Sequence, residues 1–434
     1  MTIAVYMTTL GCPKNRVDSE KTLWALTRAG ARITLDEEEA DLLLVNTCGF
    51  VTDAKEESIE RVLELAEVKA RRPKAKLVVL GCLSERYRAE LAERIPEIDY
   101  LYGVHELDKL AHELMADKEG AYLDPEALTE RTLTTPSGWA YLKIAEGCSN
   151  TCSFCAIPMI RGPYASRSAG TIVEEARHLA ARGVREVNLV AQDTTLYGAD
   201  LKQKNGLASL LGQIAAVDGI EWIRVMYMYP PLLDDHLIET MAAIPKVVPY
   251  FDVPLQHASD KILGLMGRKE TGRSIRSLVA RIRAAFPGAA IRTAFIVGFP
   301  GETEKDFGQL LEFVQEARLD HVGAFIYSPE EGTSAASLKA RPSATVARGR
   351  LERLMTAQRE ISAELTLAKT GLITDVLVEG LDPEENLVTG RAPWQAPEVD
   401  GCVILDGVEA GPGQIVRLEI TGATDYDLIA SSIE

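Results

Sequence analysis

The chain has 434 residues, 46% of them hydrophobic and 26% charged, an ordinary balance for a globular protein of two or three domains. Its formal net charge of −17 offers no broad basic footprint for nucleic acid, and no apolar run approaches the roughly 20 residues of a membrane span. Residues 1–10 lack the basic segment and long apolar stretch of a secretory signal, and seven cysteines, two of them in a C-x-x-C, fit a reducing compartment where thiols bind metal, so a cytoplasmic location is expected.

Residues 3–10, 41–47 and 76–80 read as near-continuous aliphatic strands of the kind found in parallel sheets buried on both faces. Helical stretches lie between them. One follows Asp18 and Ser19, with Leu23 and Leu26 inward and Gly30 as its stop; the other covers about 53–70, with Ile59, Val62, Leu63 and Ala66 at helical spacing. Residues 1–117 are thus expected to form an open α/β domain. Ligands bind such sheets outside the carboxyl ends of the strands. Cys12, Cys48 and Cys82 each sit just past a strand's carboxyl end and beside a glycine. Cysteines buried merely as small hydrophobes would fall inside the strands. Three matching exits point to convergence on one metal cluster.

Residues 118–138 lose periodicity and end in Thr134-Thr135-Pro136-Ser137-Gly138, a linker by composition. The strand at 139–144 then runs into Cys148-Ser149-Asn150-Thr151-Cys152-Ser153-Phe154-Cys155. Thiolates suit iron–sulfur clusters or zinc. A [4Fe–4S] cluster takes four cysteines when fully capped, so three leave one iron open to a small molecule. Further strands at 186–191, 222–228, 247–253, 291–298 and 322–327 alternate with helices, one of them at 303–319 opened by a capping box of Thr303 and Asp306. Six β/α units over 139–370 imply a parallel sheet curved into a partial or complete barrel, with its chemistry at the strands' carboxyl ends. Polar and glycine-rich exits there include Gln192-Asp193, Gln256-His257 and Gly298-Phe299-Pro300-Gly301-Glu302, which together read as a cofactor pocket. His257 reads either as a proton carrier or ligand, or as a hydrogen-bonded loop histidine.

A helical connector covers about 344–370. Residues 371–434 show short strands at 373–378, 402–405 and 415–420 separated by glycine and proline turns, a small β-barrel with Cys402 in its core.

The spacing Cys148-x-x-x-Cys152-x-Phe154-Cys155 at the first strand exit of a β/α barrel resembles the radical S-adenosylmethionine enzymes. The resemblance implies that S-adenosylmethionine chelates the open iron and yields a 5′-deoxyadenosyl radical. It places Gln192 and Asp193 near the methionyl amine of the cofactor, Gly298, Phe299, Pro300, Gly301 and Glu302 along its adenine, and Phe154 against cluster and adenine, with Gln256 a further expected cofactor contact. With the Gly11-Cys12, Asn46-Thr47-Cys48 and Gly81-Cys82 exits and a tail like a TRAM domain, the whole chain resembles the methylthiotransferases. These carry a second [4Fe–4S] cluster, here on Cys12, Cys48 and Cys82, so two clusters are implied, with an electron donor such as flavodoxin or ferredoxin. Thr9-Leu10-Gly11-Cys12-Pro13-Lys14-Asn15 and Leu189-Val190-Ala191-Gln192-Asp193-Thr194-Thr195 look like the branch that modifies an aspartate β-carbon of ribosomal small-subunit protein S-twelve. Transfer-RNA adenosine is the alternative substrate, and a non-catalytic iron–sulfur carrier or sensor the remote one. The tail has thirteen acidic residues and two basic ones, −11 over 64 residues. It is a poor phosphate binder, and suits a basic protein better. Lys14 or Arg161 is a candidate partner for the target carboxylate.

Overall fold

The computed structural model describes residues 2–115, 128–382 and 387–433. Five parallel strands open the chain: β1 (Ala4–Thr9), β2 (Arg32–Ile33), β3 (Leu42–Thr47), β4 (Lys76–Gly81) and β5 (Tyr100–Tyr102), in the order β2-β1-β3-β4-β5. Every residue of β3 is buried. Leu42 and Leu44 face Leu23 and Leu26 of helix α1 (Pro13–Arg28), while Leu43 and Val45 face Val62 and Leu65 of helix α2 (Thr52–Arg71). Alternation at period two thus fills both faces with aliphatic side chains.

Two helix readings are corrected. Helix α1 starts at Pro13, directly after Cys12, five residues before Asp18. Proline at the first helical position lacks only an N–H that has no intrahelical partner there. In α2, Ile59 and Leu63 are 36% and 47% exposed, and Ser58, Val62, Leu65, Ala66 and Val68 form the buried face. The helix is rotated so that the Ser58 hydroxyl can accept from the Cys48 N–H (2.9 Å) and donate to its carbonyl (3.1 Å).

The linker expected at 118–138 is described only from residue 128; the rest lies outside the described residues. Beyond it, β6 (Trp139–Lys143) pairs in parallel with Glu186–Val190, and that strand with Trp222–Val225. A bridge from Ile223 to Val247 leads on to Tyr250–Asp252, Ala290–Val297 and His321–Ile326. These six strands make an open barrel whose two edges are β6 and His321–Ile326. Thr303 and Asp306 form the expected capping box of helix Glu304–Ala317. Among the described residues no helix is long and apolar enough to cross a membrane.

The connector helix Ala344–Leu367 leads to a closed five-stranded barrel in the order Ile373–Asp382, Leu387–Arg391, Val403–Leu405, Leu428–Ser432, Ile415–Ala423. Cys402 lies half-buried just ahead of one strand, with its N–H donating to Asp427 (2.9 Å), rather than in the core. This small barrel seals the amino-terminal end of the large one. Leu377 and Ala396 join Trp139, Tyr141 and Tyr250 in one apolar cluster, together with Val17 of α1. Buried Glu186 accepts from Arg391 (2.5 Å) and Arg224 (2.8 Å), and Asp400 accepts from the Tyr250 hydroxyl (2.7 Å). Part of the tail's acidity is therefore engaged in docking.

Candidate active site

The carboxyl-terminal ends of both sheets face each other across one cavity of about 370 Å³. Cys12, Cys48, Cys82, Cys148, Cys152 and Cys155 all line it, with Lys14, Phe154, Arg161, Gln192, Asp193, Tyr227, Gln256 and Arg268 among its other walls. No cysteine is in a disulfide. Cysteines 3 to 143 positions apart in the chain thus meet at a single space.

The Cys148 loop is held by its backbone. Gly147 has φ +73°, and a Cβ there would stand 2.1 Å from the Pro163 carbonyl oxygen, so only glycine fits. The Cys148 N–H donates to the Gly162 carbonyl (3.1 Å), and the Ser153 N–H to that of Met266 (2.9 Å). The Phe154 ring packs edge-on against Phe299, with centroids 6.4 Å apart, and Phe299 packs on Tyr327. On the facing domain Asn15 organises the other triad. Its amide donates to the carbonyls of Leu10 (2.9 Å) and Thr47 (3.0 Å), and its Oδ1 lies 4.0 Å from the Cys12 sulfur and 3.6 Å from that of Cys82.

A buried charge network ties the two sides together. Asp18 of α1 accepts from Lys143 (2.8 Å) and Arg161 (3.0 Å), and both cations also reach Glu146 (2.9 and 2.8 Å). Arg161 further donates to Asn15 Oδ1 (2.5 Å) and sits 3.5 Å from the Cys82 sulfur. Burial works against the Glu146 carboxylate, but Lys143 and Arg161 outweigh it and hold its pKa well below the usual range. Across the cavity Arg268 stands 3.7 Å from the Cys152 sulfur and pairs with Glu270. Glu146 and Arg268 were not singled out in the sequence, and Asn15 stood there only as the end of the Cys12 motif; Glu146 had a signal, its place two residues before Cys148, while Arg268 had none. Arg161, weighed as a partner for a substrate carboxylate, is committed to this network instead.

Gln192 donates through Nε2 to Glu146 (2.7 Å), which leaves its buried Oε1 without a partner among the described residues. Asp193 accepts from Asn150 (2.8 Å) and Thr195 (2.5 Å), and burial raises its pKa. Gln256 and Tyr227 take φ of +69° and +58°, rare for residues with side chains. Such backbones cost about 1–3 kcal/mol each and gather at functional sites. Gly298, Phe299, Pro300, Gly301 and Glu302 do not line the cavity. Glu302 turns inward, accepting from the N–H groups of Gly298 and Phe299 and pairing with Arg350 (3.2 Å). This segment backs Phe154 rather than facing the space. His257 is fully buried, accepts from the Ser259 N–H at Nδ1 (2.9 Å), and is a loop histidine.

The donor set suits clusters. Burial pushes the thiols of Cys82 and Cys155 up to about 12, so charge from bound iron is what would make them thiolates. Among the described residues no group of three His, Cys, Asp or Glu side chains is arranged to hold one metal ion. A multi-iron cluster asks for a wider spread of sulfurs than a zinc ion does. Arg161 and Arg268 lie where they can donate to sulfur, one beside each triad. The free Gln192 oxygen is an acceptor for a cationic or amine-bearing ligand.

Three matches cover most of the chain. Residues 4–103 match the family described as Uncharacterized protein family UPF0004, residues 142–314 the Radical SAM superfamily, and residues 370–433 the TRAM domain. Among solved structures, the radical S-adenosylmethionine methyltransferase TsrM from Kitasatospora setae superposes with a TM-score of 0.55 over 89% of this chain and 80% of its own, at 15% identity, a likeness of fold. Fold and site together define a radical SAM enzyme, which brings S-adenosylmethionine and an iron–sulfur cluster with it.

Relatives narrow the class. Proteins named ribosomal protein uS12 methylthiotransferase RimO are 47% identical in Anaeromyxobacter sp. (99% of this chain, 93% of the relative) and 46% in Geobacter sulfurreducens (99% and 98%). A third, from Pelotomaculum thermopropionicum, is 45% identical over the full length of both. The chain belongs to this family, the RimO-type radical SAM methylthiotransferases.

Proposed function

We propose that this chain replaces a hydrogen on the β-carbon of an aspartate of ribosomal protein uS12 with a methylthio group. The observation that carries the reading is the single cavity onto which both cysteine triads open. Cys148, Cys152 and Cys155 would hold one [4Fe–4S] cluster, and Cys12, Cys48 and Cys82 a second. When bound, the first with S-adenosylmethionine supplies the radical and the second the sulfur, and a donor such as flavodoxin or ferredoxin supplies electrons.

The chain's own residues bind, orient and exclude water. Gln192, pinned by Glu146, offers Oε1 to the methionyl amine. Asp193 holds Asn150, and with it the loop between Cys148 and Cys152. Gln256 lines the wall between them. Phe154 caps one side, backed by Phe299 and the turn built from Gly298, Pro300, Gly301 and Glu302. The Asp18–Arg161–Glu146 network seals the seam between the domains and fixes the separation of the triads.

Attraction between the acidic tail and a basic ribosomal protein supports uS12 as partner and argues against strong direct nucleic-acid binding. The test incubates reconstituted enzyme, S-adenosylmethionine and a reductant with uS12 or with transfer RNA, and follows the methylthio mass increase. A gain on uS12 alone is expected. A gain on transfer RNA alone would overturn the assignment, and no 5′-deoxyadenosine with either would overturn radical chemistry.

A further inference from the structure

Any aspartate that reacts in this cavity brings its carboxylate with it, one bond from the reacting β-carbon. An anion taken out of water costs several kcal/mol unless a cation meets it. Among the described residues three cations line the cavity: Lys14, Arg161 and Arg268. Arg161 is neutralised by Asp18 and Glu146, and Arg268 pairs with Glu270 at 2.5 Å and donates to the Pro254 carbonyl. Lys14 is different. It is 6% exposed and has no carboxylate partner among the described residues; its Nζ stands 3.5 Å from the centroid of the Tyr227 ring. Asp193, the one carboxylate in the lining, is already occupied by Asn150, Thr195 and the Leu196 N–H.

The position of Lys14 is built. It lies in the first turn of α1, two residues after Cys12, so the strand exit that carries the thiol also carries the ammonium. Tyr227 beneath it adopts φ +58°, and this backbone is held by its N–H donating to Asp252 (2.9 Å) and its carbonyl accepting from Thr194 (3.1 Å). A strained residue held from both sides keeps an aromatic face under the ammonium and leaves the rest of the ammonium to the cavity.

From this geometry we infer that Lys14 is the residue that recognises the substrate side chain, forming a charge-assisted hydrogen bond to the carboxylate of the reacting aspartate. The inference rests on the reading given under Proposed function and deepens it. It also makes the site selective against neutral substrates. A nucleobase presents no anion beside the reacting carbon, and would leave the Lys14 charge buried without a partner.

The test compares the full-length enzyme with both clusters loaded, and its Lys14→Met and Lys14→Arg variants, on uS12 and on uS12 carrying asparagine at the target position. Equilibrium binding is measured without reductant, and KM and kcat with it. Iron and sulfide contents of the variants serve as the check on folding. Wild type should bind the aspartate form on the order of 10- to 100-fold more tightly than the asparagine form, the range for losing a hydrogen bond to a charged group. Lys14→Met should lose that discrimination with the asparagine form bound as before, and Lys14→Arg should keep most of it. Undiminished discrimination in Lys14→Met, with uS12 still modified by wild type, sinks the role of Lys14 alone. No modification of uS12 by wild type sinks the functional reading and this inference with it.

Discussion

Replacing Asp18 by alanine should loosen the seam between the two domains that carry the cysteine triads. In the intact network two buried cations, Lys143 and Arg161, face two carboxylates, Asp18 and Glu146. Asp18→Ala takes a carboxylate away from Arg161 and Lys143 where all three residues are buried. Breaking such a pair from one side costs about 3–5 kcal/mol. For a cooperative unit of 150–250 residues, this lowers the melting temperature on the order of 10 °C. Because Asp18 lies on α1 and its partners on the barrel, the loss is one of docking. Hydrogen exchange should speed up first in α1 and β6, and the loss should show as an early transition in calorimetry. The pH dependence has a definite sign. Glu146 has a depressed folded-state pKa, so its contribution is present above the ordinary carboxylate range and is lost as pH falls through the lower folded value. The contribution of Glu146 to the seam should therefore be full near neutrality and fade in acid, which a pH series of melting temperatures checks. A melting shift below about 2 °C, with unchanged exchange in α1, would refute the argument.

Cys152→Ala should abolish cleavage of S-adenosylmethionine, while Cys48→Ala should spare cleavage and stop sulfur transfer; equal loss of 5′-deoxyadenosine in both would contradict the division between triads. Gly147→Ala should lower iron content by about half with the second triad still loaded, because a Cβ 2.1 Å from the Pro163 oxygen displaces the Cys148 loop; full iron occupancy would show that the loop tolerates the shift. Glu186→Ala leaves Arg391 and Arg224 buried without their shared carboxylate, and should cost about 3–5 kcal/mol and release the carboxyl-terminal barrel to proteolysis; protease resistance equal to wild type would count against the seal.

The strands, the cysteine spacings and the three-part architecture were legible in the sequence because each is local. A buried parallel strand such as β3 shows as an unbroken aliphatic run, and the eight residues from Cys148 to Cys155 show three cysteines at a spacing that suits a metal cluster. The start of α1 was not legible. Lys14, Asn15 and Asp18 are polar, and nothing local shows that a second domain covers them. Ile59 and Leu63 misled for the reverse reason: a serine that holds the Cys48 backbone took the inward face of α2. At the turn from Gly298 the sequence did not show that Glu302 accepts from the N–H groups of its own loop, because that bond depends on how the turn closes.

By itself the sequence determined the class of chemistry the chain belongs to, since cysteine triads and strand exits depend on residue type and short spacing. Tertiary structure alone decided how that chemistry is assembled. It brought six cysteines from two domains to one cavity, tied Arg161 to Asp18 across 143 positions of chain, and left Lys14 as the cation of the cavity lining without a carboxylate partner among the described residues. Charge pairing inside a protein depends on distance through space, and that distance exists only once the domains have closed on each other.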